Sequence, residues 1–148
     1  MNNLIYNIPN DWYNFNQNDF QQFNNTYLSN NNDLETPEKG LEKGNLFKYL
    51  YDPYKNYQYR SLNPNNDFEK LLYNILKYKF AMNDLNLYLD NYPNNMKMIN
   101  LYNQYLSEEK KLCEEYEKSY GPITTDSRFV GDNNFKWVKS PWPWEGTK

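Results

Sequence analysis

At 148 residues the chain has room for one modest domain, but only 39% of it is hydrophobic and its mean hydropathy is -1.11, which argues against a large core. The net charge of -3 arises within residues 1–33, which contain three aspartates and no lysine or arginine, so the basic patch of a nucleic-acid-binding protein is missing. Histidine is absent and Cys113 is the single cysteine, which excludes an intrachain disulfide, a cysteine-rich zinc site and nucleophiles activated by histidine.

No targeting or membrane-spanning pattern is recognisable in the sequence. The first residues lack the charged, apolar and small-residue order of a secretory signal. No apolar run approaches the roughly 18 residues that a membrane span requires. We therefore expect a soluble protein that is made and kept inside a cell and has no membrane partner.

Residues 1–33 alternate asparagine and glutamine with aromatic residues and follow neither a helical nor a strand period. This low-complexity composition is typical of a tail that is disordered in isolation. The aromatic side chains could be adhesive contacts for a partner or simply solvated, and the composition could also reflect an A/T-rich genome. They are Tyr6, Trp12, Tyr13, Phe15, Phe20, Phe23 and Tyr27.

Residues 34–64 differ in composition and are predicted to be a docking segment followed by a linker. Thr36 can cap a short helix that Pro37 opens, and Gly40 or Gly44 can end it. An extended, aromatic-rich piece follows. Because the region is too short to fold alone, we expect it to dock on another surface. Its candidate anchors are Phe47, Leu50, Tyr51 and Tyr54.

Residues 65–121 carry two helical periods joined by a short turn that contains proline. The first helix is expected to begin near Asn66 or Asp67 and to end at about Asp90, and the second to span about 94–120. Helices joined by so short a turn must lie antiparallel. The predicted fold class is all-α: an antiparallel two-helix hairpin with extended, partly disordered N-terminal and C-terminal segments. The first helix has an apolar stripe of Phe68, Leu71, Ile75, Tyr78, Met82, Leu85 and Leu89.

A two-helix unit of this size is only marginally stable by itself, and its first helix has apolar residues outside the stripe. We therefore expect a second contact through the side that bears Phe80, Leu87 and Tyr88. Its occupant could be a second copy, the docking segment, the C-terminal tail or another protein.

Residues 122–148 form an aromatic C-terminal tail. It contains Trp137, Trp142 and Trp144, three of the four tryptophans, and two prolines stiffen the backbone beside them. Large aromatic side chains on a stiff backbone are typical of a docking peptide. A tail that folds back over the hairpin is the other interpretation, and the two are compatible.

The residues give little support to an enzyme. The glutamates of the second helix alternate with lysines, which is typical of a solvated, ion-paired face. A metal site at Asp84 would resemble the di-metal helical bundles, but these use histidine as well. Cys113 could cross-link chains, although a small, partly buried thiol is the simpler interpretation. We expect no catalytic, cofactor or metal site.

Three runs of the sequence resemble the bacterial spore coat protein family CotJB over about residues 67–145. They are FAMNDLNLYLDNYPNN, LYNQYLSEEKKLCEEYEKSYGPIT and FKWVKSPWPWE, in the order expected of the family. Upstream, TPEKGLEKGNLFKYLYDPY is similar to the core of a companion coat protein, CotJA, over about residues 34–54. With both resemblances, the chain would be a fusion of two coat proteins.

The resemblance implies a non-enzymatic component of the endospore coat, made in the mother-cell cytoplasm and deposited in the coat. It implies partners among other coat proteins, namely CotJA-like segments and CotJC, a manganese-catalase-like protein. It also leads us to expect that Phe47, Leu50 and Tyr54 pack on the hairpin of the same chain. The competing hypothesis is a small helical adaptor unrelated to sporulation.

Overall fold

The structure, a computed structural model, describes residues 33–48, 55–131, 134–139, 142 and 144–145. These residues form three α-helices: α1, Pro37–Lys43; α2, Asp67–Asn91; and α3, Met96–Tyr120; a short 3-10 helix, Lys136–Val138, follows. No β-strand occurs in the described ranges, so the prediction of a mainly helical fold is confirmed. The predicted anchors Leu50, Tyr51 and Tyr54 and the aromatic residues of the first 32 positions lie outside the described residues.

Local chemistry explains where α1 begins and ends. The Thr36 side chain accepts a hydrogen bond from the backbone N–H of Lys39, and Pro37 occupies the first turn. Gly44 ends the helix at φ +86°, a left-handed conformation that favours glycine. Gly40 lies inside the helix, where a Cβ atom would come within 3.3 Å of the Leu46 side chain. Its lack of a side chain therefore lets Leu46 approach α1 closely.

Asparagine caps begin both long helices. The Asn66 side chain accepts from the backbone N–H of Glu69 at 2.8 Å, and Asn95 accepts from that of Met98 at 3.2 Å. The helix α3 thus begins at Met96, slightly later than predicted, because Asn95 is its cap. The division of the chain at residues 33, 64 and 121 stays a prediction.

The two long helices pack through aromatic rings and a small apolar core. The Phe68 ring lies 5.5 Å from that of Tyr116 and 5.1 Å from that of Tyr120, and Tyr78 lies 5.5 Å from Tyr105. Partly buried side chains surround the buried core residues Phe68, Ile75 and Tyr116; they are Leu71, Leu72, Leu112, Cys113 and Ile123. The start of the C-terminal tail is therefore part of the core, through Ile123.

Candidate interaction surfaces

Residues 35–48, which we call the docking segment, lie against α2. Leu46 is fully buried and Phe47 is 5% exposed. The Phe47 ring stacks on Tyr88 with 5.4 Å between centroids. The Tyr88 hydroxyl in turn accepts a hydrogen bond from the Asn95 side chain at 3.0 Å, so this ring joins the docking segment to the cap of α3.

Carboxylates fix the docking segment at two places on α2 and at one place on the chain that precedes it. Asp84 of α2 accepts a 2.7 Å hydrogen bond from the backbone N–H of Leu46. Glu38 of α1 forms an ion pair with Lys77 of α2. Glu42 of α1 accepts a hydrogen bond from the backbone N–H of Leu62, just before α2. These contacts fix the segment's position along the helix, which apolar burial alone does not do.

The two acids on this surface respond differently to burial. For Asp84, burial raises the pKa above its ordinary value of 3.8, and the hydrogen bond from Leu46 opposes that effect only in part. For Glu38, burial also raises the pKa, but hydrogen bonds and the charge of Lys77 outweigh it, so the pKa lies below its ordinary value. The charged form of Asp84 is therefore disfavoured by its position on α2, whereas the charged form of Glu38 is favoured by its contact with Lys77.

We predict that Asp84→Ala lowers the free energy of unfolding by about 1–3 kcal/mol, because the Leu46 N–H loses its acceptor in a buried place. Asp84→Asn keeps a side-chain oxygen and is the matched control.

The raised pKa of Asp84 means that its contribution to stability is fully present below about pH 3.8 and is lost as pH rises through the folded-state pKa. Urea unfolding should therefore show the wild type gaining stability relative to Asp84→Asn as pH falls from neutral to acidic. A difference in the free energy of unfolding that does not change with pH would contradict the raised pKa of Asp84.

A second group of polar side chains lies between the long helices. The Cys113 thiol donates a hydrogen bond to the Glu109 carboxylate at 3.0 Å, and the Lys79 ammonium lies 3.5 Å from the same oxygen. Burial, and next the hydrogen bond to Glu109, raises the pKa of Cys113 from 9.0 to about 12. The half-buried thiol is therefore protonated at neutral pH and is a poor nucleophile.

We predict that Cys113 reacts with iodoacetamide at least about 10-fold more slowly in the folded chain than in urea at mildly alkaline pH, because the raised pKa leaves less of the reactive thiolate. Mass spectrometry after timed quenching measures both rates. Equal rates would contradict the buried, protonated thiol and would favour the cross-linking interpretation of this residue.

Trp137, Trp142 and Trp144 form a cluster that we call the tryptophan knob. Trp144 contacts both other rings, with centroid distances of 6.0 Å to Trp137 and 5.3 Å to Trp142. The Trp142 indole N–H donates to the backbone oxygen of Trp137 at 2.6 Å, and the backbone N–H of Trp142 donates to Glu145. Trp144 is nevertheless 65% exposed. Ring contacts and a hydrogen bond thus join the three residues of the knob, which presents apolar surface to solvent.

The structure separates some of the predicted interaction residues. Tyr88 is buried under Phe47, Phe80 is half-buried and Leu87 is 57% exposed, so these three do not share one open surface. The sequence interpretation missed the polar docking residues of α2. The spacing of the sequence could have indicated this side of the helix. A second helical period there contains Lys77, Ala81, Asp84 and Tyr88.

Neither a metal site nor a membrane span is found among the described residues. They contain no group of three or more histidine, cysteine, aspartate or glutamate side chains that could hold a metal ion. None of their helices is long and apolar enough to cross a membrane.

Comparison with known proteins gives one match. The family model described as CotJB protein matches residues 69–145, which include nearly all of α2, all of α3 and the tryptophan knob. No curated protein and no solved structure matches the chain. The family match begins after the docking segment and gives no support to a CotJA-like origin for that segment.

Proposed function

Since this chain belongs to the CotJB family and is therefore a spore coat-related protein, we propose that it is a non-enzymatic structural component of the endospore coat. In this proposal it acts by packing against other coat proteins. It is made in the mother-cell cytoplasm and deposited in the coat.

The observation that carries the proposal is the way α2 binds the docking segment. One side of this helix holds an adjacent peptide through a ring stack, a buried backbone hydrogen bond and an ion pair. The acids Asp84, Glu38 and Glu42 are all engaged in these contacts. Aromatic anchors are typical of contacts between polypeptides, and hydrogen bonds to the backbone of a bound segment recur in peptide recognition.

We further propose that α2 and α3 form an antiparallel hairpin. The ring contacts support this arrangement, because Phe68 near the start of α2 contacts Tyr120 at the end of α3. Tyr78 and Tyr105 are in contact near the middle of both helices. The hairpin would give the coat protein a rigid central body.

The partners that we propose are other coat proteins, in particular a CotJC-like, manganese-catalase-like protein and CotJA-like segments. The docking segment is itself CotJA-like in this proposal and binds α2 of its own chain. Any metal chemistry would belong to the catalase-like partner, since this chain has no histidine and metal ligands commonly include it.

The decisive experiment follows the chain during sporulation. A fluorescent fusion should first appear in the mother cell and then collect around the forespore, and the protein should be recovered with the coat fraction of purified spores. A chain that stays diffuse, or that is expressed only in growing cells, would contradict the coat role and favour the helical adaptor. Stoichiometric manganese or iron in the purified chain would contradict the non-enzymatic role.

A further inference from the structure

Among the described residues, exposed apolar side chains at two separate places have oppositely charged neighbours. One is the tryptophan knob, next to which Phe135 is 50% and Val138 is 68% exposed. The other lies near the end of α2, where Leu87 is 57% exposed. Isolated exposed apolar residues, such as Leu87, are ordinary on a protein surface, but several close together, as at the tryptophan knob, indicate a contact site.

The two surfaces carry opposite charge. Lys136 and Lys139 flank Trp137, are exposed, and form no ion pair with the described residues. Glu145 is the one acid among residues 134–145 that the structure describes, and its carboxylate accepts the Trp142 backbone N–H. The knob therefore has a net positive edge.

Leu87 has no basic neighbour on its own helix. The residues three and four positions away on α2, which are its neighbours on the helix surface, are Asn83, Asp84, Asp90 and Asn91. The Asp84 carboxylate binds Leu46 of the docking segment, so we call Leu87 with the exposed residues Asn83, Asp90 and Asn91 the Leu87 surface. The last turn of α2 contains no base, and the next base along the chain is Lys97 on α3.

Within one copy, the residues that the structure describes leave both surfaces open. Leu87 lies 19 residues beyond Phe68, or about 28 Å along the helix, whereas Phe68 contacts Tyr120 at the end of α3. The ion pair between Arg128 and Glu114 holds the chain after α3 near that helix's last turns. The exposure of both Trp144 and Leu87 shows that neither surface covers the other within one molecule.

We propose that the tryptophan knob of one copy binds the Leu87 surface of a second copy. Tryptophan rings would cover Leu87, and Lys136 and Lys139 would lie against the carboxylate of Asp90. The indole N–H is a donor only, and the side chains around Leu87 supply carboxylate and amide oxygens that accept. The chain's net charge of -3 disfavours an anionic lipid surface as the occupant.

This contact joins two different surfaces, so each bound copy still has one knob and one Leu87 surface free. Such a head-to-tail contact continues into an open chain of copies unless its geometry closes a ring. It deepens the proposed assembly role by naming a second copy as a partner. Its test uses the purified chain, so its failure would leave the test of spore localisation unaffected.

The experiment uses two full-length variants that each disable one surface. Trp142→Ser with Trp144→Ser removes the knob, and Leu87→Lys places a positive charge on the other surface. The chains are compared by sedimentation velocity at protein concentrations up to about 1 mM, because small interfaces are weak. The average mass of the wild type should rise with concentration, whereas each variant should stay monomeric. An equal mixture of the two variants should form dimers and stop there, because each variant keeps one working surface.

Matched controls separate the contact from folding defects. Tyr57→Ser with Tyr59→Ser removes two aromatic rings that are 50% and 49% exposed elsewhere, and this chain should associate like the wild type. Thermal melts by circular dichroism must show that all variants are folded. Asp90→Lys should weaken association, and adding Lys136→Glu and Lys139→Glu to that variant should restore it.

Four results would overturn the proposal. A wild-type chain that remains monomeric throughout has no such contact. Variants that stay monomeric when mixed, or that still associate alone, would show that the two surfaces do not bind each other. A monomeric chain that sediments with phosphatidylglycerol vesicles through the knob would identify lipid as the occupant instead.

Discussion

Leu46→Ala should lower the free energy of unfolding of the helical unit by about 2–5 kcal/mol, the range for removing a buried leucine side chain. Leu46 is fully buried between the Gly40 region of α1 and α2, to which Asp84 fixes its backbone. The cavity left by the substitution would loosen both helices at once. Chemical denaturation followed by circular dichroism measures the loss, and the thermal midpoint should fall by several degrees.

Leu62→Ala is the matched control, because this leucine precedes α2 and is 51% exposed. Its substitution should change the free energy of unfolding by no more than about 0.5 kcal/mol. Equal denaturation midpoints for the two variants would show that the docking segment does not pack on α2 in solution. That result would also remove the main support for the proposed packing role.

The helix termini could be predicted from sequence because their causes are local. Thr36 before proline, Asn66 before an acidic turn and Gly44 after a short helix each act on backbone groups within four residues. The start of α3 was predicted slightly too early, at about residue 94, because Asn95 is the cap of this helix.

The polar docking contacts could not be predicted because they join residues far apart in the chain. The hydrogen bond from Leu46 to Asp84 spans 38 residues and the ion pair of Glu38 with Lys77 spans 39. Periodicity shows that α2 has a second apolar side, but not which segment covers it. Leu87 and Tyr88 are adjacent in sequence yet differ in environment, because Phe47 covers only Tyr88.

The tryptophan knob could not be predicted from the sequence for a different reason. Its residues have no helical or strand period, so pattern analysis predicts only an extended tail. The cluster instead depends on single hydrogen bonds, such as that from the Trp142 indole to the Trp137 backbone. Exposed rings that pack on one another have no signature in hydropathy.

Tyr116→Ala is the second change for which we expect a large effect, a loss of about 3–5 kcal/mol in the free energy of unfolding, as for other large buried aromatic residues. Tyr116 is 2% exposed and its ring contacts Phe68 and Tyr120. Removing the ring would open the apolar core that Phe68, Ile75 and Tyr116 form between the start of α2 and the end of α3. Urea denaturation followed by circular dichroism measures the loss.

Tyr116→Phe separates the role of the ring from that of the hydroxyl. It keeps the contacts with Phe68 and Tyr120 and should cost no more than about 1.5 kcal/mol. Burial, and next the neighbouring Tyr120, raises the pKa of Tyr116 to about 12, so ultraviolet titration should show that this variant lacks one of the late-ionising tyrosines of the wild type. If the phenylalanine and alanine variants were equally unstable, the hydroxyl rather than ring packing would hold the two helices together at this end.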